Sequence, residues 1–247
     1  MNGIDDGAPL LTDIADTGEL VEMFEVSGGK NLRFVDEMCR MQIENFPHRP
    51  FVPDEIRRDA QLPAQRTGLV VAQWFYTING ATASYHLSDI NLARGTHTIK
   101  FGSVEKPFRR TMFGDKRFNL WLIPSQRMQV TRRIEHGWLG SFAEAADYSL
   151  PVLLPAGWIP LPIEYQEPVH GPSWRELGLE TERTTIIWMP PDGLTPDEIS
   201  VLQPTVYKPA VASFLLDIYD LDPDIPWVAE LCGDEVNRPR PSRAPLQ

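Results

Sequence analysis

Cysteine is scarce here: only Cys39 and Cys232 among 247 residues, far apart and without C-x-x-C spacing. That excludes a disulfide framework and a cysteine-built zinc site, and both thiols read as small apolar residues. The five histidines, His48, His86, His97, His136 and His170, form no closely spaced pair, so no metal site is expected. No run approaches the roughly 18 apolar residues of a membrane-spanning helix. The opening residues, MNGIDDGAPLLTD, have neither the basic nor the apolar region of a signal peptide, so a cytoplasmic protein with no membrane partner is expected. An excess of positive charge is missing as well. The net charge of −11 speaks against nonspecific nucleic-acid binding, which rests on neutralising phosphates. What remains is an ordinary globular composition, 42% hydrophobic, enough for the core of one α/β domain.

The distribution of charge is more informative than its total. Between Lys100 and Arg133 nine basic residues face two acids, a local +7 that leaves −18 on the rest of the chain. A solvated helix face accounts for the second half of this run. The first half, Lys106 to Arg117, is the candidate anion site.

Residues 1–18 are rich in Asp, Gly and Thr without periodicity and are expected to be mobile, as is the tail 233–247, GDEVNRPRPSRAPLQ, which is nearly devoid of apolar residues. The domain is expected over residues 19–232. Leu20 to Val26 suits a first strand. Asn31 can cap a helix whose apolar positions Leu32, Val35, Cys39, Ile43 and Phe46 share one face, and a second short helix is predicted after Pro53. Gly68 to Tyr76 is apolar throughout and reads as a central strand. Asn79-Gly80 marks a two-residue hairpin turn into a returning strand from Ala81. Thr96 to Val104 is a strand with Ile99, Phe101 and Ser103 expected on one face, followed by the basic turn and a helix from Met112 to Ile123 stopped by Pro124. Further along, Met128 to Ile134 is assigned to a strand, Ser141 to Tyr148 to a helix, Thr184 to Met189 to a strand, and a last helix is expected after Pro209.

The turn reads Arg109-Arg110-Thr111-Met112-Phe113-Gly114. Strand, turn and helix in this order resemble the acyl-CoA site of the GNAT acyltransferase superfamily, whose Arg/Gln-x-x-Gly-x-Gly/Ala turn wraps a pyrophosphate. The outer Arg and the final Gly match, while Met112 replaces the first glycine. Pro162, Tyr165 and Pro168 within LPAGWIPLPIEYQEPVHGP, after the Gly157-Trp158 pair, are similar to a segment common in bacterial members. The resemblance implies a central, mixed but mostly antiparallel sheet flanked by helices. It also implies acetyl-CoA or another acyl-CoA as co-substrate, held by the backbone of residues 109–114 and by Gly102, Ser103 and Val104 along the pantetheine.

Acyl transfer to an amine needs a base in reach of the nitrogen and a proton for the departing thiolate. His97 is a candidate base, set against the more ordinary role of a hydrogen-bonded core histidine. Family members often carry a tyrosine three or four residues before the Gly-aromatic pair. Leucines, Leu153 and Leu154, stand there, leaving Tyr148 upstream and Tyr165 downstream as substitutes. The expected reaction is acyl transfer from acyl-CoA to a small-molecule amine. An acyl carrier protein as donor, decarboxylation or hydrolysis of the thioester, a non-catalytic binding protein, and a homodimer remain alternatives.

Overall fold

The structure is a computed structural model that describes residues 7–47, 49, 51–134, 137–168 and 181–244. The predicted motif residues Val169 to Pro172 fall outside this range, as do residues 1–6. Strands β1 (Leu11–Ile14), β2 (Leu20–Glu25), β3 (Leu69–Ile78), β4 (Ala81–Asn91), β5 (Thr96–Val104), β6 (Gly140–Ala145), β7 (Ile159–Pro160) and β8 (Thr185–Met189) form one sheet in the order β1-β2-β3-β4-β5-β6-β8-β7, with Gln65–Arg66 paired onto β3. Every pairing is antiparallel except β5 with β6. Helices are α1 (Val35–Asn45), α2 (Val52–Gln61), α3 (Phe118–Thr131), α4 (Pro196–Ala212) and α5 (Pro226–Cys232). The predicted order of helix, short helix, hairpin, strand and helix is therefore present. Among the described residues no helix is long and apolar enough to cross a membrane.

All ten residues of β3 are buried because both sheet faces are covered. Trp74 and Tyr76 pack with Phe118, Leu122 and Val130 of α3, whereas Phe75 packs with Met38, Met41 and Ile56 of α1 and α2. The hairpin turns on Asn79 and Gly80 at φ 48° and 75°, the left-handed pair that a tight turn between twisted strands requires. On the β6–β8 half, Phe142, Ile186 and Trp188 pack with Phe214 and Leu215 beyond α4, on the face that also carries α1 and α2.

Several expectations are corrected. Residues 11–14 are an edge strand paired with β2, and the C-terminal segment through Ala244 packs on the domain. There Glu235 pairs with the buried Arg94 at 2.6 Å, Ser242 donates its N–H to the Thr67 carbonyl, and Arg243 pairs with Asp89. Ionic anchoring replaces the apolar burial that the tail lacks. Residues 140–145 are strand β6, although Ser-Phe-Ala-Glu-Ala is rich in helix formers; pairing on both sides overrides propensity. Residues 128–131 close helix α3, which runs through Pro124 instead of ending there. Asn31 sits at φ 55° before a short turn, Leu32–Phe34, and its side chain bonds the Glu25 carbonyl instead of capping a helix. The last long helix starts at Pro196, where Thr195 and Glu198 form a capping box.

Candidate active site

Strands β5 and β6 run side by side only from Thr96 to Ile99 against Gly140 to Ala143, and then they part. Beyond that point β6 pairs with β8, and among the described residues no strand pairs with Lys100–Val104 on the β6 side. A bulge is the local cause. Leu87 lies opposite Phe101 and Ser88 opposite Ile99, so Lys100 is an extra residue that bends and twists β5. The bulge also breaks the predicted alternation: Ile99 joins Ile123, Ala143 and Trp158 on the α3 face, whereas Phe101 turns to the other face and meets the Phe46 ring edge-on at 5.4 Å.

On the α1 face the parting opens into a cleft of about 490 Å³. Glu144, the first β6 residue after the last β5 pair, lines it. Its two carboxylate oxygens accept hydrogen bonds from the hydroxyls of Tyr165 and Tyr219, both buried. Tyr219 also donates to Glu167 at 3.3 Å, and Arg49 holds the same Glu167 oxygen at 2.6 Å. Burial, and then the neighbouring Glu167 charge, push the Glu144 carboxyl up to about 8 against the weaker pull of the tyrosines and Arg49. Burial and Glu144 raise both phenols well above the ordinary tyrosine value, so they remain protonated donors. Tyr219 is aimed by a π-helical stretch, Ser213–Ile218, in which the Tyr219 N–H bonds the Phe214 carbonyl five residues back; this wide turn brings Phe214, Ile218 and Tyr219 together on the cleft wall.

Sequence reasoning assigned Tyr165 to the chemistry, and it stands in this cluster. Tyr148 lines the rim of the same cleft but is 87% exposed. His97 lies on the opposite face, fully buried, with Nδ1 bonded to Ser141 Oγ at 2.9 Å and its ring edge-on to Trp74. Burial, reinforced by Arg127, lowers it to about 3. This corrects its candidacy as a base, since it occupies the core position that its strand face suggested. Glu144 and Tyr219 were missed. Glu144 was hidden by the helical reading of residues 141–148; read as a strand, Phe142 and Glu144 share one face, and a carboxylate beside a buried Phe is the signal.

The basic turn is built differently from its expectation. Met112–Phe113 and Lys116–Arg117 form a small hairpin, and α3 begins only at Phe118, so Arg109 and Arg110 do not frame a helix start. Both are exposed, and Arg109 folds back to donate to the Val104 carbonyl at 2.9 Å. Thr111 accepts the Phe118 N–H at 2.8 Å through its carbonyl. The Gly114 N–H, one of the expected phosphate donors, is taken at 2.9 Å by the Asp16 carboxylate. Gly102, Ser103 and Val104 pair with β4 but not with β6, so one edge of β5 is unpaired there. Gly102 has a reason to be glycine, because a Cβ there stands 2.6 Å from the His86 ring.

A second and larger cleft, about 830 Å³, lies on the α3 side, lined by Lys116, Leu120, Pro124 and Arg127 of the α3 region and by Gly157 and Asp192 across from them. Pro124 has no N–H to give the Leu120 carbonyl, so the regular helical ladder is interrupted on this wall. Arg127 spans the floor to the Pro190 carbonyl at 2.7 Å and to Asp192 at 2.9 Å. Lys100 and Phe101 of β5 line the smaller cleft, whereas the larger one is walled by the α3 region and by residues on either side of Gly157 and Asp192.

Solved structures of N-acetyltransferases are among those to which this chain is similar. A structure described as a putative N-acetyltransferase from Lactobacillus plantarum is similar at 10% identity and a TM-score of 0.45, over 68% of this chain and 95% of that one. The ribosomal-protein-S18-alanine N-acetyltransferase from Escherichia coli is similar at 13% identity and a TM-score of 0.42, over 71% and 99%. A Bacillus subtilis acetyltransferase in complex with CoA is similar at 13% and 0.41, over 69% and 97%. No protein-family model matches the sequence, and no curated protein matches it. Among the described residues no group of His, Cys, Asp and Glu has the arrangement of a metal site.

Proposed function

We propose that this protein moves an acyl group from acyl-CoA to the amine of a small molecule, and that the parting of β5 and β6 beside Glu144 carries this reading. An unpaired strand edge offers N–H and C=O groups to an amide-bearing arm such as pantetheine, as a further strand does. The donor's arm lies along Gly102–Val104 from the α3-side cleft, with Lys116 and the first turn of α3 toward its phosphates. The amine occupies the Glu144 cleft. Glu144 takes one proton from the ammonium and passes it to water in the cleft. The freed nitrogen then attacks the thioester carbonyl, and as the tetrahedral adduct collapses the C–S bond breaks. The nitrogen's second proton reaches the thiolate through the Tyr219 hydroxyl, with Tyr165 holding Glu144 from its other oxygen. Coenzyme A suits the donor side better than an acidic carrier protein, which the −18 on the chain outside Lys100–Arg133 repels. Calorimetry and thermal shift with CoA and acetyl-CoA test the donor half. Both ligands should raise the melting temperature at saturation, and Lys116→Glu should weaken them severalfold while Arg110→Ala changes little. No shift with either ligand removes the proposal.

A further inference from the structure

The Glu144 cleft is lined by charges of both signs. Glu144 and Glu167 lie against Arg49 and Lys100, and Phe46, Phe101, Phe214 and Ile218 supply apolar wall between them. Lys100 is engaged by Asp89 at 3.1 Å. Arg49 is different. Only 6% exposed, it gives Nη2 to Glu167, while its buried Nη1 has no hydrogen-bond partner. Thr184 Oγ1, lining the same cleft and likewise buried, is also unpaired. An unsatisfied buried guanidinium nitrogen costs free energy, and a donor of this kind is matched when an anionic oxygen reaches it. It is tied to the base through a chain of contacts: Arg49 holds Glu167, and Tyr219 bridges Glu167 to Glu144.

From this we infer that the acceptor is an amino acid with an apolar side chain, its carboxylate received by Arg49 Nη1 with Thr184, its amine presented to Glu144, and its side chain among Phe46, Phe101 and Phe214. The inference rests on the acyl-transfer reading for the fate of the amine but not for the binding. The planar fork of arginine suits a carboxylate, and its second arm, already tied to Glu167, holds the first in place. An amine without a carboxylate leaves Arg49 Nη1 and Thr184 unpaired, which is the situation that gives polar sites their strongest discrimination.

The test compares L-leucine with isoamylamine and L-phenylalanine with phenethylamine, pairs that differ by the carboxylate alone. Binding to the full chain is measured by calorimetry, and transfer from acetyl-CoA by thiol release. The amino acids should bind about ten- to a hundredfold more tightly than their amines, as expected for a charge-assisted contact in a buried site. In Arg49→Gln the preference should collapse toward unity, and Thr184→Val should narrow it. Equal affinity of the two members of each pair for the unaltered protein overturns the inference whatever the variants do. If the amines are acylated as well as the amino acids, the inference falls while acyl transfer stands. If the amino acids bind through Arg49 but release no thiol, acyl transfer falls and the carboxylate site stands.

Discussion

Single side chains set the chemistry on either side of β5. His86 lies across Gly102 with its ring edge-on to Tyr76, and both ring nitrogens are unpaired and shielded from water. Burial lowers its pKa to about 4, so it is neutral near pH 7 and brings no charge to the donor edge. Because a Cβ at position 102 meets this ring at 2.6 Å, Gly102→Ala must displace either the ring or the strand. We expect a loss of about 1–3 kcal/mol in urea denaturation, the usual cost of overpacking a filled interior, together with weaker CoA binding. Unchanged stability contradicts the packing described at this strand. Glu144 is the opposite kind of position, where burial and then the Glu167 charge raise a carboxyl to about 8 against the pull of two tyrosine hydroxyls.

At the level of elements, legibility followed local chemistry. The Asn79-Gly80 turn, the apolar β3 and the span of β5 could be read because turn stereochemistry and two-sided burial leave their mark on adjacent residues. The parallel pairing of β6 could not. Its residues after Gly140 are rich in helix formers, and only neighbours distant in sequence make them a strand. The bulge at Lys100 is equally nonlocal, and with it went the side-chain direction of Phe101. Pro124 stops a helix in isolation, yet α3 continues through it because Leu122 and Val130 are buried on either side of the proline. The turn at 109–114 matched a pattern in letters, but the hairpin that follows it, with Asp16 bound at Gly114, belongs to the three-dimensional structure.

Across the whole molecule, charge substitutes for apolar surface where the chain closes on itself. Arg94 is completely buried between Asp217 and Glu235, joining the loop after β4, the π-helical stretch that aims Tyr219, and the C-terminal segment. Arg66, also buried, reaches Asp59 and the Arg243 carbonyl. Removing Glu235 leaves Arg94 paired with Asp217 but strips a buried charge-assisted hydrogen bond from its Nη1, so Glu235→Ala should cost about 1.5–3 kcal/mol, and ending the chain after Cys232 should lower the melting temperature by roughly ten degrees in calorimetry. A shortened chain that melts with the full one contradicts this anchoring. Because the same network positions Tyr219, the truncation should also reduce acyl transfer at temperatures where the fold survives.

The most direct measurement is the pH dependence of kcat/KM for acyl transfer from acetyl-CoA to L-leucine, for the unaltered protein and for Glu144→Gln. A base must be unprotonated to act, so a carboxyl raised to about 8 should produce a rate that climbs with pH and levels off above that value. Glu144→Gln should lose that limb and about a hundredfold or more in rate while still binding CoA. A limb that persists in the variant, or a variant as fast as its parent, contradicts Glu144 as the base and with it the assignment of this cleft as the place of reaction.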